Sequence, residues 1–382
     1  MREVVIVEGC RTAVGRRKGA LSEIRSDELL ALVLDELTKR ASIDKTQVED
    51  VIAGCVTQVN EQAMNVARTA LLIAGYPEHV PGVTIDRQCG SSLQAVHFGA
   101  QAIAAGDMDV VVAGGVESMT RAPMFSSVGD TKHSEKLTKK HHIVNQGISA
   151  EMIADQWELS RKELDDFALQ SHQRAINAIE SGHYEKEIVP VEIENEYGEK
   201  EIFNQDEGPR QDTTSEILNG LKSVFKEDGK ITAGNASQMS DGASAVLLMS
   251  REKADELNLK PKAKINARTV IGSDPTLMLT GPIAATRKVL NKAGLKLTDM
   301  DRFEVNEAFA SVPLAWQHDL NADPEKLNVN GGAIALGHPL GATGTKLLVS
   351  LVNELERIEG RYGLLAICEG MGMANATVIE RI

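Results

Sequence analysis

The sequence predicts an α/β protein with a duplicated core and a segment inserted into its first half. Short apolar runs alternate with amphipathic helical stretches near both ends of the chain. A cysteine-bearing turn in the first part and a histidine-bearing turn in the last part each open a helix. Between them, residues 117 to about 240 are rich in charge and lack the strand rhythm. The expected division is a first half made of residues 1–116 plus about 241–260, an inserted loop domain over 117–240, and a second half over 261–382. A chain of 382 residues is long enough to bury such a core.

Each element follows from local pattern. Val4-Val5-Ile6-Val7 reads as a short buried strand. Residues 27–40 read as an amphipathic helix, because Leu29, Leu30, Val33, Leu34 and Leu37 fall on one side. Val51-Ile52-Ala53-Gly54 is a second strand. Residues 82–86 lead as a strand into Cys89, and a helix follows to about Ala105 with Leu93, Val96, Ala100, Ile103 and Ala104 on one face. Val110-Val111-Val112-Ala113 then runs into Gly114-Gly115, completing a strand–turn–helix–strand unit of the kind found in parallel sheets.

In the inserted segment, residues 131–142 are basic within an acidic protein. They read first as a solvated loop, with contact to a polyphosphate or a neighbouring subunit as the alternative. Ser160-Arg161-Lys162-Glu163 is a capping box opening a helix, and Gly182 fits the position just past its end. The last part repeats the style of the first. Residues 282–293 read as a helix, and Phe303-Glu304-Val305 as a strand. A strand near Val329 precedes the His338 turn, and a helix runs from about Thr345 to Arg357. Leu364-Leu365-Ala366-Ile367 is a buried strand ending at Cys368.

Composition narrows the function classes. A net charge of −14 argues against a general nucleic-acid binder, which needs basic excess. No run approaches the roughly 20 apolar residues of a membrane helix, and the apolar stretch at Val4 is too short for a signal-peptide core. The four cysteines (Cys10, Cys55, Cys89 and Cys368) lack metal-ligand spacing and are too few for a disulfide framework. Reduced thiols in a cytoplasmic protein are expected.

Three glycine-rich turns carry the chemistry: Arg87-Gln88-Cys89-Gly90-Ser91-Ser92, Gly337-His338-Pro339-Leu340-Gly341-Ala342-Thr343-Gly344, and Cys368-Glu369-Gly370-Met371-Gly372. Cys89 precedes a helix whose unpaired N–H groups and positive dipole end favour a thiolate, so its pKa is expected to fall toward neutrality. Alone, Cys89 would read as a small packed hydrophobe; the other two turns reverse that reading. His338 is placed to serve as a base near neutral pH. Cys368 stands at the end of a strand, where α/β sheets present chemistry, and Gly370 offers an N–H to an oxyanion. Asn306, by itself a turn residue, can donate to a water or a carbonyl.

The chain resembles the thiolases in these turns and in Asn306-Glu307-Ala308-Phe309-Ala310, Val116-Glu117-Ser118-Met119, Thr232-Ala233-Gly234-Asn235-Ala236-Ser237 and Asn330-Gly331-Gly332-Ala333. The resemblance spans essentially the whole chain and implies a five-layered αβαβα core. It implies reversible thiolytic cleavage of 3-ketoacyl-CoA, as in β-oxidation. Cys89 would carry the acyl group, His338 would activate it, and Cys368 would move the proton at the acetyl-CoA methyl carbon. Asn306 would hold a water of one oxyanion hole, and the N–H groups of Cys89 and Gly370 would form the other. Arg210, Leu221, Ala233, Ser237, Met278, Ala308 and Phe309 would line the coenzyme A pocket. Coenzyme A is implied as a substrate with no permanently bound cofactor. The expected partners are acyl-CoA and coenzyme A, with no nucleic acid and no membrane, in a homodimer or homotetramer.

Three positions depart from the family pattern. Ser92 replaces the usual glycine, Asn145-Gln146 replaces the His-Met pair of short-chain biosynthetic members, and Glu369 puts a carboxylate where an apolar residue is more usual. The alternatives are a ketoacyl-synthase-type condensing enzyme, against which the second thiol at Cys368 argues, and a non-catalytic acyl-CoA or lipid-binding protein on the same fold.

Overall fold

A computed structural model describes residues 2–195 and 197–382. Met1, the first residue of the expected first half, and Glu196, in the inserted segment, lie outside them. The first half runs β1 (Val4–Thr12), β2 (Gly15–Arg16), α1 (Ser26–Ala41), β3 (Asp50–Gly54), α2 (Val66–Ile73), β4 (Gly82–Ile85), α3 (Ser91–Ala105) and β5 (Val110–Ser118). The inserted segment contributes α4 (Glu135–Thr138), α5 (Gln146–Gln156), α6 (Arg161–Glu180), β6 (Ile188–Val189), a hairpin of β7 (Val191–Glu194) and β8 (Lys200–Phe203), and α7 (Ser215–Asn219). The chain then returns in β9 (Ser240–Ser250) and α8 (Arg251–Glu256). The second half is β10 (Ala263–Gly272), α9 (Gly281–Ala293), β11 (Arg302–Val305), α10 (Ser311–Leu320), α11 (Ala333–Leu336), α12 (Thr343–Arg357), β12 (Tyr362–Glu369) and β13 (Met373–Arg381).

The main sheet has the order β11-β12-β13-β10-β1-β9-β5-β3-β4, with β2 beside β9 and β6 beside β1. Setting β2 and β6 aside, the first half places its strands in the order third, second, fourth, fifth, first. The second half repeats this order, with one change. The strand expected near Val329 is absent, and its place beside β11 is held by a single parallel bridge from Leu327 to Phe303. Asn328 explains the loss. Its φ of 47° ends the extended run, and its side-chain amide takes over the pairing. Asn328 Oδ1 accepts the Val305 N–H at 2.9 Å while Nδ2 donates to the Val305 carbonyl at 2.9 Å.

The sheet is mixed rather than parallel. β3 runs parallel to β4 and β5, β11 to β12 and the short β6 to β1, but along the main path β9, β1, β10 and β13 join their neighbours antiparallel. The tight turn between β12 and β13 requires this, because only antiparallel strands can be joined so shortly.

Strand alternation separates the layers. On β9, Ala245, Leu247 and Met249 pack with Leu30, Leu34 and Leu37 of α1, while Val246 and Leu248 face α3. On β12, Leu365 and Ile367 face the same central layer, while Leu364 and Ala366 pack with Ile283 and Val289 of α9 and Trp316 of α10. Helices α3 and α12 therefore lie between two sheet halves, each covered outside by helices. Gly344 permits the close crossing of α3 and α12, since a Cβ there would overlap the Leu93 backbone nitrogen. Ser92, at the position that departs from the family pattern, accepts the Thr345 N–H at 3.0 Å and ties the two helices together.

Candidate active site

The Cys89 turn is held by its own side chains. Asp86 Oδ1 accepts the Gln88 N–H at 2.7 Å. Ser91 Oγ accepts the Arg87 N–H at 2.8 Å and donates to the Gln88 carbonyl at 2.6 Å. These bonds hold Gln88 at φ 47°, a left-handed conformation that costs a non-glycine residue about 1–2 kcal/mol. Gly90 caps α3, so Cys89 stands one residue ahead of the cap.

His338 occupies the matching connection of the second half, before α12. Its N–H is held by the Gln238 carbonyl at 3.1 Å and Ser240 Oγ at 3.2 Å. Gly337, at φ 99°, adopts a conformation that L side chains rarely take, and a Cβ there would overlap Ser240 Oγ. His338 Nδ1 lies 2.6 Å from Thr343 Oγ1, whose own hydroxyl donates to the Pro339 carbonyl at 2.8 Å. The hydroxyl proton is committed, so Nδ1 is the donor in the first contact and Nε2 keeps its lone pair. Asn306 Nδ2 approaches that Nε2 at 3.4 Å, and Asn306 Oδ1 is buried without a partner among the described residues.

Two buried carboxylates fasten the surrounding turns. Glu117 accepts N–H groups from Val56, Thr57 and Gly341 at 2.9, 3.0 and 2.9 Å, tying the His338 turn to the end of β3. Glu307 accepts from the Ser171 hydroxyl, Asn328 Nδ2 and the Ile334 N–H.

Cys89 and His338 line one cavity of about 210 Å³, with Met119, Met124, Phe125, Phe225, Leu279 and Leu340 among its apolar walls. Asn145 and Gln146 line it too. Ser237, Ala308 and Phe309 share that lining, whereas Arg210, Leu221 and Ala233 line a second cavity of about 110 Å³. Gln238 lines both. Met278 is buried in the core and lines neither. Cys368 is fully buried on β12 opposite Ala374, outside the cavity lining. Gly370 sits beside the Cys89 turn: a Cβ built on it would lie 3.0 Å from both Gln88 Oε1 and Gln146 Nε2.

The electrostatics correct one expectation. The Cys89 thiol is not lowered; burial pushes it well above its ordinary value, and charge on Cys368 or Glu369 would raise it further. The helix end does not offset full desolvation, since Cys89 lies ahead of the cap. Burial likewise pushes Cys368 up to about 12 and holds His338 down at about 3, the Lys346 cation adding to the latter. The resting pair is a neutral thiol beside a neutral imidazole. Thr343, Glu117 and the methionine walls were given no role by sequence reasoning. Thr343 carried a signal in the same glycine-rich turn as His338, and Glu117 and Met119 stood in the Val116-Glu117-Ser118-Met119 motif.

Among the described residues, no helix is long and apolar enough to cross a membrane. Residues 4–252 match the family model described as Thiolase, N-terminal domain, and residues 259–381 match Thiolase, C-terminal domain. The chain is 50% identical to the steroid 3-ketoacyl-CoA thiolase FadA6 of Mycobacterium tuberculosis, covering 100% of this chain and 95% of that protein. It is 45% identical to the 3-ketoacyl-CoA thiolase of Bacillus subtilis over the full length of both. The crystal structure of the Bacillus anthracis acetyl-CoA acetyltransferase superposes with a TM-score of 0.93 at 41% identity, covering 100% of this chain and 99% of that one.

Proposed function

The chain belongs to the thiolase family and is an acyltransferase that cleaves 3-ketoacyl-CoA thiolytically, and we propose that it does so through an acyl-enzyme on Cys89. The observation that carries this reading is the fixed tautomer of His338. With Nδ1–H committed to Thr343, Nε2 is the ring nitrogen left to take a proton, and His338 lines the same cavity as Cys89. Burial holds that imidazole in its neutral form before substrate arrives, as a proton acceptor requires.

In this reading Cys89 Sγ attacks the ketone carbon of the substrate as its proton passes to His338 Nε2. The N–H groups of Cys89 and Gly370 receive the developing oxyanion. Collapse of the adduct breaks the carbon–carbon bond and leaves the enolate of acetyl-CoA. A water held on the free Oδ1 of Asn306, together with His338, stabilises that enolate, and Cys368 delivers the proton to carbon. A thiol kept up at about 12 by burial is suited to donate to a carbanion. Coenzyme A then takes the acyl group from Cys89 in the second half of a ping-pong cycle.

Coenzyme A thioesters are the substrates. The second cavity, with Arg210, Leu221 and Ala233, shares Gln238 with the first, whose lining holds Ser237, Ala308 and Phe309 with Cys89, and we assign both to the coenzyme A thioester. Met278 acts there only as packing behind the wall. Residues 117–240 form the proposed inserted domain, which supplies Met119, Met124, Phe125 and Phe225 to the cavity. A homodimer or homotetramer is proposed; the edge strand β4 with exposed Val83 supports it. A cytoplasmic setting is proposed from four cysteines that are all free.

The test is mass spectrometry after incubation with a 3-ketoacyl-CoA lacking free coenzyme A. An acyl adduct on Cys89 and released acetyl-CoA without carbon dioxide are expected. Turnover near normal in Cys89→Ala would sink the assignment.

A further inference from the structure

Gln146 opens α5 in the wall of the cavity that Cys89 and His338 line. Its neighbours fix its place. Asn145 Oδ1 accepts the Gly147 N–H at 2.9 Å. Gly147 lies against the Phe225 ring, which a Cβ there would overlap, and Phe225 in turn meets the Phe309 ring edge-on with centroids 5.9 Å apart. One turn on, Ser149 Oγ donates to the Leu277 carbonyl at 2.8 Å. From this anchored backbone the Gln146 side chain reaches Gly370: a Cβ built on that glycine would lie 3.0 Å from Gln146 Nε2. Gly370 is the residue whose N–H is assigned above to the oxyanion at the ketone carbon.

The Gln146 amide is half-buried and forms no hydrogen bond among the described residues. The other polar groups of the cavity are engaged. Gln238 Nε2 is spent on the Gly208, Ile334 and Ala335 carbonyls at 3.0, 3.0 and 2.9 Å. His338 Nδ1 is spent on Thr343. Asn145 stands at the exposed rim, with its Oδ1 used in the cap. No charged side chain lines the cavity. Gln146 lines the cavity of Cys89 and not the one of Arg210, so its amide serves the acyl end of the site.

We propose that Gln146 sets the substrate class: its amide binds a neutral oxygen, keto or hydroxyl, carried on the acyl chain a short carbon spacer beyond the reacting ketone. The proposal rests on the reading of Cys89 as nucleophile and Gly370 as oxyanion donor. An oxygen at that point takes the amide hydrogens, which a plain alkyl chain would strip of water and leave unpaired. An ionised carboxylate would enter without a counter-charge, since the lining supplies none. The apolar remainder of the wall holds the carbon skeleton, and the single amide fixes its orientation. Gln146 touches substrate but no reacting atom, and the bond that breaks is the same for every substrate.

The experiment compares thiolysis of 3,6-dioxooctanoyl-CoA with that of 3-oxooctanoyl-CoA, which lacks only the second keto oxygen. In both, the bond between the α-carbon and the first ketone breaks, giving acetyl-CoA with 4-oxohexanoyl-CoA or hexanoyl-CoA. The parent protein should favour the dioxo substrate about tenfold in kcat/KM, the scale of one net hydrogen bond. Gln146→Met keeps the length and removes the amide, and it should bring the ratio to about one. Gln146→Leu carries the same test should Gln146→Met fail to fold. 3-Oxoadipyl-CoA, with a carboxylate at the same carbon, should be a poorer substrate than either. Equal rates on the two eight-carbon substrates overturn the proposal, as does a preference that survives loss of the amide. A preference for 3-oxoadipyl-CoA overturns the neutral class. Thiolysis that persists in Cys89→Ala would instead overturn the nucleophile assignment, and the proposal with it.

Discussion

At the scale of single residues, burial does opposite things to the two partners of the proposed first proton transfer. It raises the Cys89 thiol and lowers the His338 imidazole, so neither charge is present before substrate arrives. Thr343 then matters as much as the proposed base, because its contact with Nδ1 fixes the tautomer that leaves the Nε2 lone pair available. Thr343→Val should lower kcat about 5–30-fold with KM little changed, matching a lost buried hydrogen bond of about 1–2 kcal/mol, and Thr343→Ser should recover most of it. Steady-state kinetics on the three proteins decides this. Cys368→Ser separates the two half-reactions. If Cys368 only moves a proton at carbon, acyl transfer to Cys89 from a simple acyl-CoA should survive while carbon–carbon cleavage falls. Equal loss of both steps would deny Cys368 a separate role. Cys89, His338 and Cys368 were singled out in the sequence because each stands in a glycine-rich turn; the structure puts Cys89 and His338 on one cavity and Cys368 outside its lining. The raised Cys89 thiol was not legible in the sequence, because burial is a property of the layers around α3. The tie that Glu117 makes to the His338 turn was equally hidden, since its partners lie as far away as Gly341.

At the scale of elements, the helices and strands that pattern predicts are those whose own residues bury a face. α1, α3, α6 with its capping box, and β5 all follow from local spacing. The third strand of the second half failed because pairing there passed from backbone to side chain at Asn328, which no periodicity reveals. The β7–β8 hairpin was missed inside a segment read as loop, since its polar alternation on a short pair resembles charge-rich linker. Ser92 shows how one departure from a family pattern can be structural. Its hydroxyl satisfies the Thr345 N–H in the first turn of α12, where the helix itself supplies no acceptor. Ser92→Ala leaves that buried N–H unpaired and should cost about 1–3 kcal/mol. A thermal midpoint lower by a few degrees is expected, and an unchanged midpoint would show that the contact contributes nothing net.

At the scale of the whole molecule, duplication explains why the site is where it is. Cys89 stands between the third strand of the first half and α3, and His338 stands just before α12, in the stretch of the second half where the third strand is replaced by the Leu327–Phe303 bridge, so the repeat of strand order brings the two turns to the same central layer. The repeat was visible in the sequence as a rhythm, but the handedness of each strand pairing was not, and the sheet proved mixed. The halves differ most between fourth and fifth strands. The second half joins β12 to β13 through Gly370-Met371-Gly372, while the first opens between β5 and β9 to admit the inserted segment. That asymmetry gives the protein its substrate wall. Methionines 119, 124 and 239 and Phe125 are long or mobile side chains, and Phe125 is largely exposed at 61%. Asn145 and Gln146 stand in the same wall where short-chain members carry His-Met. A wall of this kind can yield to a longer chain, and each added methylene buried there is worth about 1–3 kcal/mol at most in selectivity. The expected profile is therefore broad, with kcat/KM for eight- and ten-carbon 3-ketoacyl-CoA at least equal to that for the four-carbon substrate. Thiolysis rates across a ladder of chain lengths measure it directly. A strong preference for four carbons would mean that the wall is closed behind Cys89, and would place the protein with the biosynthetic acetyl-CoA acetyltransferases instead.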